Sequence, residues 1–423
     1  MKGTGFRKGV LDNGIRVLTE HLPGVRSLSV VVWVDHGSRD ESPAVSGMSH
    51  FIEHMIFKGT ARMTALDIAK AFDRLGGISN AFTSKETICF HAKVVDSHQD
   101  DILELLSDIF LNSCFSQIEI ERERLVVLQE ISMVEDSPEE LIHDVLHRNF
   151  WPNHGLGQPV LGLPETVTRF QSEDISNYVH QYFSPEKVVI ACAGNVRHAD
   201  FMRKVERFFG HMSGPPNGIG RKRPHARTGF KIVEKDLEQV NCLLGFEGPG
   251  QRDERRFDAL LFNVILGGSM SSRLFQEIRE RRGLAYAIYS YHSGYTDTGL
   301  MGMYAGTSQD KAVEVMELMM DELQRLAEEP VSEQELHEAK EHVKGGIVLT
   351  SESTDARMNR MARLELTLGH YVTIEDVMEK IDAVTQQSIM ELAQDLLKAQ
   401  RSAVVMGKIT PKIRDGAEKI LNR

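Results

Sequence analysis

Two histidines and a glutamate within five residues are the side chains most able to do chemistry in this sequence. His50, Glu53 and His54 lie in the stretch GMSHFIEHMIFKGT at residues 47–60. On an α-helix, residues four apart share a face about 6 Å apart along the axis, so both imidazoles can reach one ion. Catalytic zinc takes three protein ligands and leaves its fourth position to water. The stretch therefore predicts two zinc ligands and requires a third from elsewhere.

Glu53 precedes His54 and lies within one helical turn of both histidines. Its carboxylate can stand beside the metal, where it would take a proton from coordinated water. Ser46 is placed to cap the start of this helix, and Gly59 is placed to end it in a left-handed residue. A solvated surface helix with the same spacing is the alternative interpretation, and the rest of the chain must decide between the two.

The order His-x-x-Glu-His is the inverted zinc-peptidase signature, and the sequence resembles the M16 metallopeptidases, most closely their shorter branch, which is similar to mitochondrial processing peptidase. In that family the third ligand is a glutamate on a later helix. Glu130 stands at the matching place, with 75 residues between it and His54. Glu123, two turns earlier on the same face, matches a family glutamate that supports the site without binding metal, although an exposed helix charge is an equally good interpretation of it. The resemblance implies one Zn²⁺ per chain.

Composition limits the other classes of function. The chain has 423 residues, more than one hydrophobic core usually spans, so at least two domains are expected. A net charge of −12 argues against nucleic acid or an anionic membrane as the main partner, and it would favour basic peptides if the excess negative charge lines a cavity. Without a long apolar run or a recognisable leader at residues 1–13, the protein is expected to be cytoplasmic, and its four scattered cysteines to be reduced core residues.

The elements around the histidines follow a simple order. A β-branched run at residues 28–34 predicts a buried strand before the histidine helix. After it come a helix at 64–75, a strand pair or one long bent strand at 78–94, and helices at 100–111 and 116–135, the last carrying Glu123 and Glu130. His147 and His154 lie outside any ligand-spaced pair, so we expect them on the surface or in loops.

The segment Asn80, Ala81, Phe82 and Thr83 resembles the M16 edge strand onto which an extended substrate is added as a further strand. Because an open sheet edge normally risks aggregation, keeping one suggests a use. An ordinary core strand is the alternative.

A linker is predicted at residues 211–228, which hold Pro215, Pro216, several glycines and the basic run 221–223. We expect those three charges to be solvated. After the linker the order of elements repeats, so the fold is predicted to be α+β, with two homologous domains that are each a mostly antiparallel sheet covered by helices. The domain boundaries are 1–210 for the zinc domain and 229–423 for its copy.

The second domain has lost the metal ligands, since Asp258 to Phe262 occupy the region where histidines would be needed. It keeps a glycine-rich turn followed by RERRGLAY. In M16 enzymes this region supplies an arginine and a tyrosine seven apart that bind substrate and steady the tetrahedral intermediate. Arg279 and Tyr286 match that spacing. A salt-bridged helix arginine and a core tyrosine are the alternative.

The resemblance implies a zinc endopeptidase that cleaves unfolded peptides inside a chamber. Longer M16 members join four such domains, so this two-domain chain is expected to form a homodimer, or a heterodimer with an inactive paralogue, whose partner supplies Arg279 and Tyr286. Two other classes stay open. One is a noncatalytic scaffold of the kind found among the core subunits of the respiratory bc1 complex, and the other is a metal-dependent hydrolase of non-peptide substrates.

Overall fold

A computed structural model describes residues 5–215 and 220–421; residues 1–4, 216–219 and 422–423 lie outside it, including Pro216 and three further positions of the predicted linker. The chain divides into two compact units of three segments each. The first unit is Met1–Ser132, Gln158–Arg221 and Val348–Val372, and the second is Met133–Gly157, Lys222–Ile347 and Thr373–Arg423.

Strands form one sheet in each unit. In the described chain they are β1 Phe6–Val10, β2 Arg16–His21, β3 Ser27–Val34, β4 Ile78–Thr83, β5 Ile88–Val95, β6 Val188–Gly194, β7 Gly229–Glu234, β8 Val240–Gly248, β9 Ala285–Gly294, β10 Gly299–Thr307 and β11 Arg401–Gly407. The first sheet has the order β1-β2-β6-β3-β5-β4, and the second has the order β7-β11-β8-β10-β9. Each contains one parallel pair, β2 with β6 and β7 with β11, and is otherwise antiparallel.

Helices account for most of the remaining chain. They are α1 Met48–Met55, α2 Ala65–Arg74, α3 Gln99–Leu111, α4 Gln117–Asp136, α5 Pro138–Phe150, α6 Pro164–Val167, α7 Ser172–Tyr182, α8 His198–Phe209, α9 Arg256–Leu266, α10 Ala312–Glu328, α11 Glu333–Thr350, α12 Thr354–Leu368, α13 Ile374–Ala383, α14 Gln386–Lys398 and α15 Pro411–Leu421. None of the helices in the described chain is long and apolar enough to cross a bilayer.

The two sheets confirm the predicted α+β repeat. Without β1, the first sheet reads β2-β6-β3-β5-β4, which matches the second sheet strand for strand, including the position of the parallel pair. The histidine helix α1 corresponds in chain order to α9, and α4 corresponds to α11. Each unit is therefore one copy of the same sheet-and-helix design.

Both faces of each sheet are buried, which explains the near-continuous apolar runs in the central strands. In β3, Val30 and Val32 point into the main core of the first unit, whereas Val31 and Trp33 point to the other face. That other face is covered by α12, through Met358, Met361 and Ala362. The second sheet is covered in the same way by α5, through Ile142, Leu146 and Phe150.

The compact units consequently differ from the predicted contiguous domains in two segments. Helix α5 lies before the predicted linker but belongs to the second unit, and α12 lies after it but belongs to the first. A period-3.6 pattern shows that such a helix has an apolar face, but it does not identify the sheet that the face covers. The boundary at Arg221 and Lys222 falls inside the predicted linker.

Several local expectations are wrong. The Arg221 guanidinium is not solvated but binds both Asp40 oxygens at 3.0 and 2.9 Å, and Asp35 at 2.9 Å. His147 is a buried residue of α5 whose Nε2 lies 3.0 Å from the Tyr295 hydroxyl. Of the four cysteines, Cys114 is exposed while the others are buried in strands.

Candidate functional site

The histidine helix α1 begins at a glycine and takes its cap from a remote side chain. Gly47 has φ +92°, a left-handed conformation that favours glycine, and a Cβ there would lie 2.7 Å from the backbone of Gly162. The predicted Ser46 cap is wrong. The backbone N–H groups of Gly47 and Ser49 instead donate to the two oxygens of Glu41, each at 2.7 Å. Burial raises the pKa of Glu41 to about 7.

The far end of α1 tightens before it stops. A 3₁₀ turn at Ile56–Lys58 continues the helix, and Gly59 follows with φ +139°. The helix therefore ends at the predicted glycine. Gly59 itself is extended with a positive φ, however, and not in the predicted left-handed helical conformation. Because the helical turn continues to Lys58, and Lys58 follows His54 by four residues, the two side chains lie on the same side of the helix.

Helices α1 and α4 bring the three predicted metal ligands together. The Nε2 atoms of His50 and His54 lie 3.6 and 3.5 Å from the same oxygen, Oε2 of Glu130. Among the described residues these three form the one group of histidine, cysteine or acidic side chains arranged to hold a metal, with ligand atoms all within 4.8 Å of one another. The imidazole rings meet edge to face, with centroids 4.6 Å apart.

The donor set and its spacing fit a zinc ion. Tetrahedral ligand atoms held about 2.05 Å from one zinc are about 3.4 Å apart, close to the separations from Glu130 to the two histidines. Glu130 Oε2 is buried and has no hydrogen-bond partner among the residues described, as expected of an atom reserved for a cation. Burial, and then the proximity of His54, lowers the pKa of His50 to about 3, so its imidazole is neutral and able to coordinate.

A second layer of contacts orients His54. Glu123 accepts at Oε2 from His54 Nδ1, 3.0 Å away, while its Oε1 lies 2.5 Å from Lys58 Nζ. Burial opposes the charge on Glu123, but the hydrogen bonds from His54 and Lys58 outweigh it and lower the pKa of Glu123. Burial likewise opposes protonation of His54, yet the hydrogen bond to Glu123 and the charge of Glu130 raise its pKa. Glu123 is thus a buried partner of the ligand, not an exposed helix charge.

Glu53 lies on α1 with its carboxylate tied to strand β4. Its Oε2 accepts a hydrogen bond from the Thr83 hydroxyl at 2.6 Å. Burial raises the pKa of Glu53, and the Thr83 hydrogen bond partly offsets that rise. The charge of His54 also acts to lower the pKa of Glu53, so the carboxylate lies within electrostatic reach of the predicted ligand group.

Strand β4 is an edge strand of the first sheet, and among the described strands it pairs with β5 alone. Along it, Asn80 and Phe82 are exposed, while Ala81 and Thr83 are half-buried on the opposite face. The Phe82 ring meets Trp33 edge to face at 5.6 Å. The strand therefore presents an open backbone edge next to the residue that holds Glu53.

Arg279 and Tyr286 lie together, in the second unit. Arg279 belongs to a π-helical segment, Phe275–Arg281, and Tyr286 to the edge strand β9. The Arg279 guanidinium lies 4.7 Å from the ring centroids of both Phe275 and Tyr286. Tyr286 is 77% exposed, so it is not a core residue.

Two residues of the site were not predicted from the sequence. Lys58 carries a signal in its spacing, since it follows His54 by four residues. Glu41 carries none, because its contacts with the start of α1 arise from a loop of irregular structure.

Comparisons with known proteins identify the relatives of this chain. Residues 16–163 match the family model "Insulinase (Peptidase family M16)", and residues 169–343 match "Peptidase M16 inactive domain". The chain is 41% identical over 391 residues to the "Uncharacterized zinc protease YmxG" of Bacillus subtilis, covering 92% of this chain and 95% of that one. It is 37% identical to an uncharacterized zinc protease of Streptomyces coelicolor, covering 96% and 90%.

Solved structures show the same fold at lower identity. A protease from Helicobacter pylori superposes with a TM-score of 0.89 at 20% identity, covering 96% of this chain and 99% of that one. A peptidase M16 inactive domain from Pseudomonas fluorescens superposes with a TM-score of 0.90 at 18% identity, covering 96% and 98%.

Proposed function

The chain belongs to peptidase family M16, and we propose that it is a zinc-dependent endopeptidase acting on unfolded peptides, with one zinc per chain. The observation that carries the proposal is the convergence of His50, His54 and Glu130, whose ligand atoms face one another at separations suited to zinc. When bound, zinc would supply Lewis acidity that polarises a peptide carbonyl and makes water more acidic.

Glu53 is the general base in this proposal. Its Oε2 is fixed by Thr83, and its raised pKa brings the carboxylate closer to the operating pH, which suits a group that must both accept and return a proton. Glu53 would accept a proton from the attacking water and return it to the leaving amine.

Substrate contacts are assigned to the open edge of β4 and to Arg279 with Tyr286. Residues 80–83 would hydrogen-bond an extended peptide through their main chain. Arg279 and Tyr286 would donate to the developing oxyanion, an interaction whose loss commonly costs on the order of 10² to 10³ in rate. The exposure of Tyr286 and the stacked guanidinium support this role.

Wild-type protein and Glu53→Gln test the base and the metal together. Both are expected to bind about one zinc per chain, measured by elemental analysis after gel filtration. Only the wild type should cleave a mixed set of quenched fluorescent peptides, and a chelator should abolish that cleavage.

The outcomes separate the proposal from its alternative. Cleavage by Glu53→Gln at wild-type rate would remove Glu53 from the mechanism. A wild type that holds zinc but cleaves nothing would favour a noncatalytic scaffold, or a missing partner chain.

The quaternary state stays a prediction. We propose a chamber-forming homodimer, or a heterodimer with an inactive paralogue, in which the partner supplies Arg279 and Tyr286. Mixing inactive Glu53→Gln with inactive Arg279→Ala is then expected to restore activity, up to about a quarter of the wild-type level per chain if subunits reassort at random. Exchange of subunits without recovered activity would contradict the composite site.

A further inference from the structure

We infer that Lys58 is a positioning residue of the metal site: its ammonium group fixes the Glu123 carboxylate, and Glu123 in turn holds His54 with its Nε2 directed at the metal. This inference rests on the proposed zinc function and adds to it a residue that neither binds metal nor contacts substrate.

The contacts form one continuous chain. Lys58 Nζ lies 2.5 Å from Glu123 Oε1, Glu123 Oε2 lies 3.0 Å from His54 Nδ1, and His54 Nε2 lies 3.5 Å from Glu130 Oε2. Each oxygen of Glu123 thus has a separate partner. Over the described ranges 5–215 and 220–421, His54 and Lys58 are the side chains that contact this carboxylate.

Burial makes the lysine necessary. The Glu123 side chain is 8% exposed, so Oε1 has little access to water and depends on the ammonium group for its ion pair. A buried carboxylate oxygen without a partner costs free energy, which a change of the Glu123 rotamer would relieve. Such a rotation would also break the contact between Oε2 and His54.

Loss of that contact affects the metal through the tautomer of His54. While Nδ1–H donates to Glu123, the lone pair of Nε2 is free for the metal. Without Glu123 in place, the proton can sit on Nε2, and that tautomer does not coordinate through Nε2. Lys58 therefore acts on zinc affinity through Glu123 and His54.

The test compares zinc affinities, measured by competition with a chromophoric chelator. Lys58→Met is expected to bind zinc up to about 10- to 100-fold more weakly than wild type, because displacement of Glu123 removes the outer partner of His54. Lys58→Arg, which keeps the charge, should recover most of the loss. Lys204→Met is the matched control. The Lys204 side chain is 30% exposed, against 29% for Lys58, and its Nζ pairs with an oxygen of Asp100 at 2.8 Å rather than with a residue of the metal site.

A double-mutant cycle with Glu123→Gln shows whether Lys58 acts through Glu123. If it does, the double variant binds zinc less than about twofold more weakly than Glu123→Gln alone. Two additive losses would overturn the inference, as would a zinc affinity of Lys58→Met within about twofold of wild type. If metal-free Lys58→Met melts well below Lys204→Met, then Lys58→Gln is measured by the same criteria.

Failure of the proposed function gives a different result. A wild type that binds no zinc would overturn both the endopeptidase and this inference. A wild type that binds zinc, with a Lys58→Met variant of equal affinity, would overturn this inference alone.

Discussion

Glu53 is the residue at which the proposed substrate binding and the proposed chemistry meet. Its carboxylate is held by Thr83, which belongs to the same edge strand that we assign to substrate binding. A peptide that adds to this edge therefore approaches the element that also fixes the proposed base. Burial and the Thr83 hydrogen bond act in opposite directions on the pKa of Glu53, and burial prevails. Strand β4 thus orients the proposed base through Thr83, whereas burial sets the direction of its pKa shift.

The residues that could hold a metal were predictable because coordination chemistry restricts them to few types and spacings. His50 and His54 are four apart on a helix, and the family spacing locates Glu130. The residues that support the site are less restricted. Lys58 could be found from its spacing to His54, but Glu41 could not, because a cap supplied by a preceding loop leaves no periodic pattern in the sequence.

Helix α5 docks on the second sheet partly through polar contacts. Nδ1 and Nε2 of His143 lie 2.9 and 3.1 Å from the hydroxyls of Tyr291 and Tyr289, and Tyr289 donates to Glu139 at 3.2 Å. The ring of Tyr304 packs against His143 from β10. Because both nitrogens have a hydroxyl partner, this cluster specifies how α5 lies on the sheet as well as stabilising it.

The cluster predicts a pH-dependent stability of the second unit. Burial lowers the pKa of His143 to about 4, whereas an unfolded histidine has a pKa of about 6.5. Its contribution to stability is therefore complete above about pH 6.5 and is lost as the pH falls toward 4, because the unfolded chain binds a proton that the folded one excludes. The loss is on the order of 1 to 3 kcal/mol.

Urea unfolding followed by tryptophan fluorescence measures this effect. The chain has two tryptophans, so Trp33→Phe leaves Trp151 as the reporter. The Trp151 ring centroid lies 5.5 Å from that of His147, which is one helical turn after His143. In that background, His143→Gln should flatten the fall in unfolding free energy between pH 6.5 and pH 4.5. The exposed His180→Gln serves as the control. An equally steep fall in both variants would show that other groups cause it.

The exchange of α5 and α12 is the feature of the whole molecule that the sequence could not reveal. Strand and helix periods identify the elements and their repeat, because both are local patterns. Which sheet an amphipathic helix covers depends on contacts between residues far apart in the chain. One such contact in the first unit joins β3 to α12: the Ser29 hydroxyl donates to Asp355 at 2.6 Å, and the two residues are 326 positions apart in the chain.

The exchange predicts that neither contiguous half folds alone. Residues 1–215 contain α5 but lack α12. The side chains of Leu18, Val31 and Trp33, which pack against α12 in the full chain, would then be exposed to water. Each buried side chain of this kind contributes about 1.5–3 kcal/mol, and a domain has only about 5–15 kcal/mol in total. The fragment alone is expected to bind a hydrophobic dye and to unfold without a cooperative transition. Residues 216–423 produced in the same cells should restore a stable complex, because each fragment supplies the helix that the other lacks. Cooperative unfolding of residues 1–215 alone, without dye binding, would show that α12 is dispensable to the first sheet.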